Sequence, residues 1–232
     1  MNRLLKVTGL SKSYDRNPIL SEINMEIYAG EIVGLLGPNG CGKTTLMKII
    51  TGLINDYTGE VLVNGHKPDL YTRKIISFLP EKTYLSDWMK AKDAVEIFDD
   101  FYEDFDKSKA YEMIARFGLT LNHKLKSMSK GMQEKLQLIL VMSRNAKLYM
   151  LDEPMSGVDP AARSVILDII LKNYSPESSI LLSTHLIYDV EKIFDKVIMI
   201  GNGQILFNDT VDNIREQYGK SVDEVFREVF RC

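Results

Sequence analysis

A chain of 232 residues and 26.5 kDa has room for one elaborate α/β domain with an inserted subdomain, but not for a membrane domain beside it. Its 29 Lys and Arg against 32 Asp and Glu leave a net charge of −3, which gives no electrostatic reason to expect nucleic acid or an anionic membrane as a direct partner. No uncharged apolar stretch approaches the roughly 18 residues of a spanning helix, residues 1–10 lack the apolar centre of a signal peptide, and Cys41 and Cys232 follow no ligand spacing, so an intracellular chain without disulfides or structural zinc is expected.

Over residues 4–63, short apolar runs separated by turn residues predict strands. Tyr28-Ala29-Gly30 breaks the chain before the apolar run 32–36, and Asn64-Gly65 after 60–63 is a hairpin-type signal. Between residues 93 and 140 the period becomes helical. Phe98, Phe101, Tyr102 and Phe105 fall at i, i+3, i+4, i+7 with Asp99, Asp100, Glu103 and Asp104 between them, which predicts an apolar stripe packed against neighbouring helices, with a groove for another protein's helix as the alternative. Runs 148–151, 180–183 and 197–200 are apolar without alternation, as buried parallel strands are. Near the end, Val222, Val225, Phe226, Val229 and Phe230 repeat at helical spacing behind a capping box of Ser221 and Glu224.

The sharpest local signal is Gly37-Pro38-Asn39-Gly40-Cys41-Gly42-Lys43-Thr44, which fits G-x-x-x-x-G-K-[ST] between an apolar run and a helix-like segment. Glycines let the main chain curl so that successive N–H groups point inward, and the helix start adds positive potential, the combination a phosphate needs. Lys43 then supplies a point charge for the β- and γ-phosphates, Thr44 a hydroxyl for Mg²⁺, and Cys41 its backbone N–H. Asp152 and Glu153 end the run 148–151, where an open α/β sheet faces its ligand crevice. Buried unpaired carboxylates are costly, so a cation explains them: Asp152 suits a Mg²⁺ shell and Glu153 an attacking water, the alternative being a solvated turn. His185 has the same address after 180–184 and would donate to a phosphate or orient water, or would be structural. Tyr14 could stack on adenine, with interior packing as the default.

In this order the motifs resemble the ATP-binding subunits of ABC (ATP-binding cassette) transporters over essentially the whole chain. Walker A is residues 37–45, which adds Thr45 to the nucleotide contacts; Walker B with its acid is residues 148–153; Ser156-Gly157-Val158-Asp159 is similar to the D-loop; and His185 is similar to the switch histidine. Met128-Ser129-Lys130-Gly131-Met132 stands in the place of the L-S-G-G-Q signature, and Glu81 in that of the Q-loop glutamine. Glu81 can face Mg²⁺ or water but has no amide hydrogens to donate.

The resemblance implies a P-loop NTPase fold: an α/β core with a mostly parallel sheet, an N-terminal antiparallel β-region and an inserted helical subdomain. It implies a single cassette over residues 1–232, with the core at about 1–85 and 146–220, the helical subdomain at about 86–145 and the amphipathic helix at about 221–231. Lys43, Glu153 and His185 would act in ATP hydrolysis. Tyr14, Asn39, Gly40, Cys41, Gly42, Lys43, Thr44, Thr45 and Glu81 would contact nucleotide; Thr44, Asp152 and Glu81 would serve Mg²⁺. Ser129 and Gly131 would clamp nucleotide held by the opposite subunit of a head-to-tail homodimer or heterodimer. The expected partner is a separate transmembrane permease, export-type by the signature variant and terminal helix, which would hold the chain on the inner face of the membrane. The competing expectations are a soluble ABC ATPase acting on ribosomes or DNA, and a regulatory module that binds ATP without turnover.

Overall fold

In the computed structural model, which describes residues 2–156, 158–175 and 177–230, two sheets share one helix between them. The first sheet is antiparallel, in the order β2 (Asn17–Tyr28), β1 (Arg3–Tyr14), β4 (Thr58–Val63). The second has six strands in the order β5 (Ile76–Leu79), β6 (Leu148–Asp152), β7 (Ser179–Thr184), β3 (Ile32–Leu36), β8 (Lys196–Gly201) and β9 (Gln204–Thr210). All of its pairings are parallel except β8 with β9. This is the α/β architecture expected, with an antiparallel N-terminal region and a mostly parallel sheet.

Alternation within buried strands divides the core in two. Val33 and Leu35 of β3 face one way with Met150, Leu181 and Ile198, and join helix α1 (Lys43–Ile50) to the inward face of the antiparallel sheet at Leu5, Val7, Ile23 and Ile27. Ile32 and Leu36 face the other way with Leu151, Leu182, Val197 and Met199, toward the helices. These parallel strands carry apolar residues at every position because both faces are covered. Each fully buried aliphatic side chain contributes about 1.5–3 kcal/mol.

After α2 (Leu70–Ile75) and β5, the chain forms α3 (Ala91–Phe101), α4 (Lys107–Arg116) and α5 (Lys130–Met142), which bury Val95, Phe98, Ile114, Leu136 and Ile139 together. The expected aromatic stripe is corrected here. Helix α3 stops at Phe101, Tyr102 turns extended, and Phe101 is 78% exposed while Phe98 and Phe105 enter the core. The cause lies far along the chain: the Arg144 guanidinium sits 3.9 Å from the Tyr102 ring centroid and pairs with Asp104 at 3.0 Å, which pulls the segment out of helical register. Asn64-Gly65 does form a tight turn, but the returning chain pairs only at His66 before α2, so no second strand follows.

Helix α6 (Pro160–Asn173) and the short α7 (Ile187–Val190) lead into and out of β7. Beyond β9, the single turn α8 (Val211–Asn213) is followed by α9 (Val222–Phe230), which buries Val222 and Val225. Its capping box forms, with Ser221 N donating to Glu224 Oε2 at 2.8 Å and Glu224 N to Ser221 Oγ at 3.2 Å. Gly157 of the D-loop segment and Cys232 lie outside the described residues. No helix among the described residues is long and apolar enough to cross a membrane.

Candidate nucleotide site

Strand β3 delivers the glycine-rich loop at its C-terminal end, and α1 begins at Lys43 directly after it. Two glycines there are dictated by geometry. Gly42, at φ +107°, caps α1, and a Cβ on it would lie 2.6 Å from Leu20 Cδ2 and 3.1 Å from the Ile19 carbonyl. Gly37 passes so close to β8 that a Cβ would meet the Ile200 carbonyl at 2.2 Å. A loop pinned on both sides holds its amides ready for an anion without further ordering.

Lys43 folds back over the loop. Its Nζ donates to the Gly37 carbonyl at 2.7 Å and the Pro38 carbonyl at 3.2 Å, and lies 3.4 Å from Glu153 Oε1, an ion pair short of hydrogen-bond geometry. Both side chains are buried. The other oxygen, Glu153 Oε2, lies 2.9 Å from His185 Nδ1. That contact requires the ring hydrogen on Nδ1 and leaves Nε2 for a second partner. Three residues from three distant segments thus form one continuous polar contact.

Glu153 reaches this place at a cost. It follows β6 with φ +50°, a left-handed conformation worth about 1–3 kcal/mol of strain for a residue with a Cβ. Its N–H donates to the Ser183 carbonyl and Oγ, both at 3.1 Å, and its carbonyl accepts from Ser156 N at 3.0 Å. Ser183 Oγ also donates to Asp152 Oδ1 at 2.5 Å. Ser183, on β7 beside β6, therefore holds both acids; nothing in its sequence surroundings marks it out.

Asp152 is 1% exposed, and its Oδ2, like Glu153 Oε1, is buried without a hydrogen-bond partner. No group of three or more His, Cys, Asp or Glu side chains suited to a metal exists among the described residues. Carboxylate oxygens without a partner suit a hard cation that keeps waters and takes substrate phosphate oxygens for its remaining ligands. The residues fit Mg²⁺ brought with a nucleotide rather than a resident metal.

Around the loop opens a cleft of about 410 Å³. Asn39, Gly40, Gly42, Lys43, Thr44 and Thr45 form its floor, and Glu153 its back wall. Tyr14 and the exposed Glu81 stand at its edges. Tyr14 is 45% exposed, so the default of interior packing is corrected: the ring stands open to the cleft. Cys41 is buried beneath the loop, where burial pushes its thiol pKa up. Ile19 also lines the cleft and was missed. The β1–β2 register slips by one residue between Lys12–Leu20 and Ser13–Pro18, which leaves Ile19 out of step with the ladder.

Ser129 and Gly131 do not reach this cleft. They open α5, with Ser129 as N-cap accepting from Met132 N at 3.3 Å, and Ser129 is exposed. A larger hollow of about 660 Å³ between α4 and the ends of α5 and α6 contains none of the expected residues. Its cations are already engaged: Arg144 bonds Asp104 and the carbonyls of Lys74 and Ile76, and Lys109 donates to the Met142 and Asn173 carbonyls.

A glycine-rich loop between strand and helix, with paired acids at the end of a neighbouring parallel strand and a histidine one strand further on, defines a P-loop nucleotide-binding protein. Comparison with known proteins agrees. The ABC transporter family model matches residues 20–156. Across 96% of this chain and 74% of its own length, an uncharacterized ABC transporter ATP-binding protein, YdbJ of Bacillus subtilis (strain 168), is 34% identical. The lantibiotic transport ATP-binding protein SrtF of Streptococcus pyogenes is 30% identical over 94% of this chain and 97% of its own. A solved structure of the ATP binding subunit of an ABC transporter superposes with a TM-score of 0.86 at 28% identity, covering 98% of this chain and 99% of that one. The chain belongs to the ABC transporter family and is an ATP-binding subunit of it.

Proposed function

We propose that this chain binds and hydrolyses MgATP in the cleft above α1 and, by closing on a second cassette, drives an export-type permease. The observation that carries the reading is the contact Lys43–Glu153–His185: a buried carboxylate, strained into position, between the loop ammonium and an imidazole. The loop amides of Asn39, Gly40, Cys41, Gly42, Thr44 and Thr45, with Lys43, hold the β- and γ-phosphates. Thr44 and Asp152, with Glu81, would hold the metal ion. When bound, Mg²⁺ neutralises charge developing on the phosphate oxygens.

On nucleotide binding, Lys43 exchanges the Glu153 carboxylate for phosphate oxygens. The released carboxylate accepts hydrogen from a water aligned with the γ-phosphate, and His185 Nε2 steadies that phosphate while Nδ1 keeps Glu153 in place. Tyr14 stacks the adenine. Since Ser129 and Gly131 lie outside the cleft of their own chain, they act on the nucleotide of the opposite cassette, so ATP is the adhesive of the pair. Hydrolysis releases it, and the permease follows the two-state motion. Attachment to the permease places the chain at the inner face of the membrane. Export rests on the signature variant with Lys130 and Met132 and on helix α9, which resemble cassettes for antibiotics, lipids or polysaccharides; SrtF, named for lantibiotic transport, supports the first of these.

The test is phosphate release by the purified chain with ATP and Mg²⁺, beside mass measurement by light scattering with and without nucleotide. Magnesium-dependent turnover and an ATP-dependent dimer are expected. Tight ATP binding with no turnover, alone or with the co-purified permease, would leave a regulatory module instead.

A further inference from the structure

We infer that Lys12 is a positioning residue for nucleobase recognition: its ammonium, seated against one face of the Tyr14 ring, fixes that ring so that the other face receives the base. The inference rests on the reading of Tyr14 as the base platform and adds how the platform is held. Lys12 Nζ lies 4.8 Å from the centroid of the Tyr14 ring and 2.9 Å from Asp56 Oδ2. The Lys12 side chain is 5% exposed, whereas that of Asp56 is 99% exposed.

That asymmetry decides the role. A pair whose carboxylate is fully hydrated returns little stability, and burying the ammonium costs desolvation. For folding alone, a lysine here is a poor choice. It gains its remaining compensation from the ring, whose face carries the negative end of the aromatic quadrupole. Tyr14 needs such support. It ends β1 immediately before Asp15, at φ +54°, in the turn to β2, and nearly half of it is in solvent. The cost of fixing a half-exposed ring at a strand end would otherwise be drawn from binding energy. A cation on one face also draws π density toward itself, which leaves the open face better matched to an electron-rich purine. The residues at the rim then divide the work: Lys12 holds the ring, Tyr14 meets the base, and Ile19 flanks it.

The test compares ATP with inorganic tripolyphosphate, each with Mg²⁺, by calorimetry. Lys12→Met keeps the apolar stem without the charge, and Lys12→Arg keeps a cation over the ring. Lys12→Met should weaken ATP about fivefold, the scale of a partly buried cation–π contact, and leave tripolyphosphate unchanged. In steady state the loss should fall on KM rather than kcat, and Lys12→Arg should restore ATP binding to within about twofold. With Tyr14→Ala already in place, Lys12→Met should cost nothing further. Equal loss of both ligands, or ATP binding by Lys12→Met at the wild-type level while Tyr14→Ala weakens it, would overturn the role of Lys12. If Tyr14→Ala leaves the preference for ATP over tripolyphosphate intact, the platform reading itself fails.

Discussion

Replacing Glu153 by Gln should separate ATP binding from ATP turnover. The substitution keeps volume and shape in a site where the side chain is 7% exposed, and its carbonyl oxygen can still accept from His185. What it removes is one negative charge and one proton acceptor. Loss of a positioned base lowers turnover by about 10²–10⁴-fold, or roughly 3–5 kcal/mol in the barrier. Binding should move the other way or not at all. At 3.4 Å, the carboxylate and the Lys43 ammonium attract by on the order of 5 kcal/mol at an effective dielectric near 20, most of it offset by desolvation. An incoming phosphate must displace that carboxylate, and in the variant it need not, while Lys43 stays anchored on the Gly37 and Pro38 carbonyls. Phosphate release at saturating MgATP measures the first effect and equilibrium titration of ATP the second. Turnover within about threefold of wild type would refute the role given to Glu153; a tenfold loss of affinity would refute the displacement argument.

Gly42→Ala places a methyl at φ +107° against Leu20 and the Ile19 carbonyl, so urea unfolding should show a loss of about 1–3 kcal/mol and ATP binding should fall with it; full stability would mean that the loop is slack. Arg144→Met should also cost stability although it lies outside the cleft, because it strips the partner from the buried carbonyl of Ile76, at about 1–3 kcal/mol, and less at the part-buried Lys74 carbonyl and Asp104, which water can reach. Urea midpoints at unchanged slope would read this directly. The raised thiol pKa of Cys41 means less thiolate at a given pH, so in a Cys232→Ser background its alkylation at pH 8 should be slower than that of free cysteine and should climb as pH rises; a rate matching the free thiol would contradict its burial.

The phosphate loop was legible because its chemistry is local: eight consecutive residues determine where their own amides point, and the close contacts at Gly37 and Gly42 are what the motif's fixed glycines anticipate. The addresses of Asp152 and His185 were legible for another reason, since apolar runs that end in polar residues mark strand ends. Long-range contact was not legible. Periodicity carries a helix through Phe105 because it counts positions and cannot see Arg144, which takes the Tyr102 ring and ends α3 at Phe101. Strand β9 escaped because it is an edge strand, half-exposed throughout, with too short an apolar run to stand out from a turn. Ile19 escaped because a register slip belongs to two strands at once.

The most consequential feature, the tie between Lys43, Glu153 and His185, combines both cases. Strand-end addresses bring the three to one rim, but the order β6-β7-β3 is needed to make them neighbours. Even then the fold alone does not orient Glu153. An ordinary β-region backbone would send the chain past the loop, and the left-handed turn that redirects it is stabilised by two hydrogen bonds from its own N–H to Ser183. Strain of this kind persists only where surrounding contacts over-determine it. Loosening that support is therefore a sharper probe of the site than removing the acid. Ser183→Ala would leave every charge in the cleft but free both Asp152 Oδ1 and one of the two anchors on Glu153; phosphate release at saturating MgATP should fall by about tenfold or more, while urea unfolding shows only the cost of one further unpaired buried oxygen, about 1–3 kcal/mol.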